Sequence, residues 1–154
     1  MTDLQPIAYR EAKLRDARCI IDFQLAMARE TENLELNRII VSRGVEAVFE
    51  DRALGRYFVA DAGTELAGSL LITNEWSDWR NGLVWWIQSV YVPPAFRRRG
   101  IYAGLYSLVK TLAEAHEMVK GIRLYVDATN VQAQEVYRRM GMNGDHYRVF
   151  EWMK

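Results

Sequence analysis

An α/β fold, a sheet with helices on both faces, is what this sequence predicts, on three observations. Strand-like and helix-like apolar periods follow one another in the order β-α-α-β-β-β-α-β-α-β. A continuous apolar run over 83–92 stops at Pro93 and Pro94; after a basic turn, a helical pattern begins at Ile101, Leu105, Leu108, Val109 and Leu112. Two β-rich runs, 56–60 and 65–73, flank the turn Asp61-Ala62-Gly63-Thr64 as a hairpin would.

Each element has its own justification. Residues 7–10 form a short first strand, and Ala17, Ile20, Ile21, Leu25 and Ala28 mark one face of a first helix that Asp16 is suited to cap. A second helix spans about 35–49, weakened by Gly44, and the polar link 29–33 joins the two. After the hairpin, 74–82 reads as a connection whose Asn81-Gly82 turns the chain into the long apolar strand 83–92, placed centrally by its lack of alternation. The third helix runs to about His116 and a fifth strand covers 122–127. Thr129 or Asn130 caps the fourth helix, Gly141 ends it, and the alternation over 147–153 closes the chain as a strand.

At 154 residues the chain is most simply one domain, 1–154. Half of the residues are hydrophobic and 26% charged, a globular composition. Twenty basic residues balance twenty acidic ones, so no net field favours nucleic acid or an anionic membrane. Cys19, the single cysteine, excludes an internal disulfide and reads as a small buried hydrophobe. No His/Cys/carboxylate cluster has metal-ligand spacing, so no metal is expected. Residues 1–6 lack the pattern of a secretory leader, and no run of about 18 apolar residues occurs, so a cytoplasmic location is expected.

The junction after residue 92 carries the chemistry. The first turn of a helix leaves backbone N–H groups without partners and carries partial positive charge. Gly100 removes the side chain that would keep a phosphate off those amides, and Arg97, Arg98 and Arg99 add permanent cations. A phosphate or pyrophosphate suits this end; a solvated basic turn is the bland alternative.

Two motifs then narrow the choice. Arg97, Gly100 and Tyr102, following a strand that ends in valine, together with Asn130, Ala133, Tyr137 and Gly141 at their offsets, resemble the signatures of the GNAT N-acetyltransferase superfamily. Tyr102 departs from the small residue usual at its position. The resemblance implies a mixed, mostly antiparallel central sheet of six to seven strands with about four helices, the fourth and fifth strands splaying apart. It implies acetyl-CoA as donor, its arm along the backbone of Val90, Tyr91 and Val92 and its phosphates on the amides of Arg98, Arg99, Gly100, Ile101, Tyr102 and Ala103. Asn130 matches the residue that contacts the donor's arm, and Tyr137 the general acid. An ordinary cap and an ordinary core tyrosine are the competing readings of those two residues.

The acceptor side is less determined. The resemblance places the link between the first two helices on that side, where Glu30 would attract a cationic amine unless it is only part of a solvated helix end. The connection 74–82 holds Glu75, Trp76, Asp78 and Trp79, and carboxylates beside aromatic faces hold ammonium ions. Glu75, Asp78, Trp79 and Trp86 are therefore the substrate candidates, against the reading that a hairpin tip merely covers the core. The strand positions where many relatives carry a catalytic glutamate show Gln88, Ser89 and Tyr125, so either water relays the proton to Glu75, Asp78 or Glu30, with Glu75 the leading candidate, or the amine arrives already neutral. The expectation is transfer of an acetyl group to a primary amine of a small molecule or peptide, with a non-catalytic acyl-CoA-binding module as the alternative. Open sheet edges also permit a homodimer.

Overall fold

The structure, a computed structural model, describes residues 6–154; the leader reading of residues 1–5 lies outside it. The chain divides into two compact units, Met1–Arg123 and Leu124–Lys154. The first contains β1 (Ala8–Glu11), a 3-10 turn at Leu14–Asp16, α1 (Ala17–Glu32), α2 (Arg38–Glu50), β2 (Arg56–Asp61), β3 (Leu66–Ser77), β4 (Gly82–Tyr91), a second 3-10 turn at Pro94–Phe96, α3 (Ile101–Ala115) and β5 (Val119–Arg123). The strands lie in sequence order, β1 to β4 antiparallel and β5 parallel to β4. The change of direction follows from connection length, because a hairpin reverses the chain whereas the α3 crossover returns it the same way.

Side-chain parity assigns the two faces. Tyr57 and Val59 of β2, with Leu66 and Tyr91, pack against Ala17, Ile20, Ile21, Phe23 and Val45 of α1 and α2. On the other face α3 lies close because two glycines admit it: a Cβ on Gly68 would meet the Ile101 side chain at 3.0 Å, and one on Gly104 the Tyr9 ring at 2.0 Å. Phe58, Leu70, Ile72, Leu105 and Val109 are fully buried, each worth about 1.5–3 kcal/mol of transfer energy.

Several boundaries differ from the sequence reading. Asp16 does not cap α1 through its side chain; it is buried and accepts two hydrogen bonds from Arg10, at 2.8 and 3.0 Å, and one from the Lys13 amide at 2.7 Å. Arg10 also reaches Asp61 at 2.8 Å, so one guanidinium joins β1, β2 and the start of α1. The link 29–33 is mostly the last turn of α1, ended by Asn33 in the left-handed conformation at φ 50°. α2 starts at Arg38 because the Asn37 side chain accepts from the amides of Ile39 and Ile40.

The connection 74–82 shrinks to 78–81, since Asn74, Glu75, Trp76 and Ser77 pair with Trp85, Val84, Leu83 and Gly82. Strand β5 begins earlier than the expected 122–127: the Leu83 amide donates to the Met118 carbonyl at 2.8 Å and starts the ladder there, with Gly121 opposite Val84.

The second unit holds α4 (Val131–Arg139), with the Asn130 side chain accepting from the Ala133 amide at 3.0 Å. Gly141, at φ 85°, ends it, and the Met142 amide donates back to the Tyr137 carbonyl. The expected strand over 147–153 is absent; these residues are irregular, with Phe150 and Trp152 exposed. The sheet of the described residues therefore has five strands, not six or seven. Alternation names the face a strand would bury, but the ladder needs a neighbouring backbone, which no local pattern supplies.

Candidate functional site

Strand β4 is irregular where it leaves its parallel neighbour. Its ladder with β5 covers Leu83 to Trp86 only, the last pair being Trp86 and Arg123. Opposite β3 the register slips: Ser69 faces Tyr91 while Leu71 faces Gln88, so β4 carries one extra residue there, and Ser89 takes φ 51°. This is a β-bulge, which leaves backbone groups out of the ladder and twists the strand. From Ile87 to Tyr91, β4 has β3 on one side and no β5 partner on the other. Nothing in the sequence marks Ser89 as left-handed.

The chain then makes its 3-10 turn, anchored by the buried Phe96, and enters α3 through two positive-φ residues, Arg98 at 59° and Gly100 at 72°. No side chain caps α3, and its first backbone bond runs from the Gly104 amide to the Gly100 carbonyl at 3.0 Å. The amides of Ile101, Tyr102 and Ala103 are thus outside the helical ladder. A Cβ built on Gly100 would meet nothing within 4 Å, so the backbone there borders open space. An anion fits such an end.

The three arginines behave differently. The Arg97 Nε donates to the Val92 carbonyl at 2.9 Å and its Nη2 to Glu30 at 2.5 Å. Arg99 lies over the Phe96 ring at 5.0 Å, and Arg98 is exposed. The other Glu30 oxygen accepts from the Tyr91 hydroxyl at 2.8 Å. Hydrogen bonds from Arg97, then Tyr91, hold the Glu30 carboxyl below its ordinary value, while burial and then Glu30 push the Tyr91 phenol up. Glu30 is engaged by Arg97 and Tyr91, and the Val92 carbonyl is engaged by Arg97.

The aromatic and acidic candidates separate into two groups. Glu75 and Trp86 come together on the sheet face that also carries Thr73 and Gln88: Glu75 Oε2 accepts from Trp86 Nε1 at 3.3 Å and from Arg123 Nη1 at 2.7 Å. Gln88 donates to Thr73 at 2.5 Å, completing a partly buried polar strip. Asp78 and Trp79 lie in the turn beyond the strand ends, where Asp78 accepts from the Trp79 amide and the Trp79 side chain is 90% exposed. Sequence reasoning missed Arg123, whose partner depends on the parallel register.

In the second unit, Asn130 is the cap of α4 and Tyr137 lies on that helix, half-buried, its phenol pushed up by burial. Among the described residues no group of three or more His, Cys, Asp and Glu is arranged to hold a metal, and no helix is long and apolar enough to cross a membrane.

The family model described as Acetyltransferase (GNAT) family matches residues 21–142. A solved structure of a possible acetyltransferase from Clostridium difficile 630 is 36% identical, covers 96% of this chain and 97% of its own, and superposes with a TM-score of 0.88. A predicted acetyltransferase with acetyl-CoA from Clostridium acetobutylicum shares the fold at 18% identity, with 95% and 96% coverage and a TM-score of 0.74. The ribosomal-protein-alanine N-acetyltransferase from Brucella melitensis biovar Abortus 2308 shares it at 15% identity, with 97% and 100% coverage and a TM-score of 0.78. Comparison with curated proteins returns no match.

Proposed function

The chain belongs to the GNAT acetyltransferase family, and on that premise we propose that it transfers an acetyl group from acetyl-CoA directly to a primary amine of a small molecule or peptide. The observation that carries this reading is the uncapped start of α3 beside Gly100, next to a β4 that bulges at Ser89 and has outrun its β5 partner. The absence of any Gly100 side chain fits a phosphate drawn against the backbone, so the residues present suit the donor. The amides of Arg98, Arg99, Gly100, Ile101, Tyr102 and Ala103 would hold its phosphates, and the backbone of Val90, Tyr91 and Val92 its arm; in the second unit, Asn130 is the candidate that the family motif names for the arm. When bound, acetyl-CoA supplies the activated thioester.

The chain's own residues supply the proton movements. Tyr137, its phenol pushed up by burial, stays protonated at neutral pH and gives its proton to the departing thiolate. Glu75, on the strip with Trp86, draws the cationic amine and is the candidate acceptor of the proton that the amine must lose. Trp86 offers an aromatic face at the same place. Asp78 and Trp79, in the exposed turn, would touch only an acceptor large enough to reach beyond the strand ends, such as a peptide.

Incubation with acetyl-CoA and a panel of small amines and short peptides, read by thiol release and by mass spectrometry of the products, should give at least one acetylated amine. Saturable CoA binding without any acetylated product across the panel would instead make this a non-catalytic acyl-CoA module.

The Glu30–Arg97 contact yields a second expected result. With its guanidinium held by Val92 and Glu30, Arg97 shapes the turn before α3. Glu30→Gln should therefore weaken CoA binding about tenfold, ~1.4 kcal/mol, in calorimetry. A tightening would mean that Arg97, once released, grips the phosphates itself.

A further inference from the structure

The first unit also has an open cleft of about 1020 Å³ between the Leu14–Asp16 turn with the first turns of α1, one face of α2, and the start of β2. It lies at the other end of α1 from the Glu30–Arg97 contact. Ala17 lines it, and at 1.5 Å per residue Ala17 and Glu30 are about 20 Å apart. The donor end of the molecule therefore does not account for it.

Its chemistry is two-sided. Ile21, Val48 and Phe49, with the more exposed Leu14, give it apolar surface, and six of the lining residues are Lys or Arg against three Glu. Asp22, from outside the lining, offsets one of these cations, and an excess of two remains. Glu11 is shared by Arg52, at 2.8 Å, and Arg56, at 3.7 Å, while Arg38 pairs with Asp22 at 2.7 Å. Among the described residues Arg18 has no carboxylate within ion-pair distance, and Arg15 acts on Asp16 only at a distance, because Arg10 holds that carboxylate. In a chain with no net charge, this is a local concentration of cations over apolar surface.

We propose that this cleft is a second binding site, which takes a small amphipathic anion with its carboxylate or phosphate head on Arg15 and Arg18 and its apolar body on Leu14, Ile21 and Phe49. Guanidinium groups offer paired donors that match either head, and the apolar surface selects against anions without an apolar part. A free inorganic anion meets only half of the site.

Calorimetry tests this with three probes on the intact chain: decanoate, octyl phosphate, both kept below micelle formation, and inorganic phosphate. At least one amphiphile should saturate at one site per chain and bind at least tenfold more tightly than inorganic phosphate. The one or ones that saturate name the head. The double variant Arg15→Gln, Arg18→Gln should weaken that binding at least tenfold, whereas Arg43→Gln, an exposed α2 arginine outside the cleft, should leave it unchanged. Amide shifts of the parent protein in NMR titration should cluster at Ala17, Ile21, Ser42 and Phe49, a readout that does not depend on how the variants fold. No saturation by either amphiphile, equal binding of inorganic phosphate, parental affinity in the double variant, or shifts clustered elsewhere would each overturn the proposal.

Discussion

Replacing Tyr137 by phenylalanine should lower kcat for acetyl transfer by about 10²-fold or more while leaving the dissociation constant for CoA within about twofold. Positioned general acids contribute roughly 10²–10⁴-fold, and the substitution removes the phenolic proton but keeps the ring that fills the half-buried position on α4. Burial pushes the phenol above its ordinary value, so the parent should show an alkaline limb, above the ordinary phenol range, as the phenol ionises. The variant should lack that alkaline limb. Stopped-flow thiol release across the pH range checks both expectations, and a variant as fast as the parent at every pH would remove Tyr137 from the reaction.

The largest effect on stability should come from Asp16→Ala. This buried carboxylate holds Arg10 by two hydrogen bonds and closes the turn into α1 through the Lys13 amide. Removing one partner of a buried pair costs about 3–5 kcal/mol. Because Arg10 keeps Asp61 and is partly exposed, about 3 kcal/mol is expected at neutral pH. Burial raises the Asp16 carboxyl, but the bonds from Arg10 and Lys13 outweigh it and leave it below its ordinary 3.8. Asp61 is likewise lowered, by the Gly63 amide and Arg10. A depressed carboxyl contributes stability that is fully present above its unfolded value and is lost as pH falls through the lower folded one. Parent and variant should therefore differ most above about pH 4 and converge in more acid solution. Urea unfolding at neutral and acid pH measures this directly, and a neutral-pH difference under about 1 kcal/mol would deny the network its role.

The chemistry of the α3 end was readable in advance because it depends on neighbours in the chain. Pro93, Pro94, the arginines, Gly100 and the apolar period from Ile101 lie within a dozen residues, and the structure places the uncapped helix start at Ile101. The roles of the arginines were not readable. Arg97 is engaged by Glu30, 67 positions away, and only the packing of α1 along β4 brings the two together. The same applies to Glu75 and Arg123, joined across three strands by the parallel register at Trp86. The tip expected over 74–82 failed for a related reason: polar residues there looked like a loop, yet pairing with β4 extends β3 through Ser77.

Period, composition and turn residues were enough to establish an α/β chain, the order of its elements from β1 to α4, and the strand–glycine–helix junction that suits a phosphate. These are local properties, set by backbone geometry and by which side chains prefer water. The five-strand sheet, the bulge at Ser89, the partners of Glu30 and Glu75, and the cationic cleft between α1 and α2 arose only on folding. Each depends on the register or packing of segments distant along the chain, and a one-residue slip in that register would turn every side chain of a strand to the opposite face.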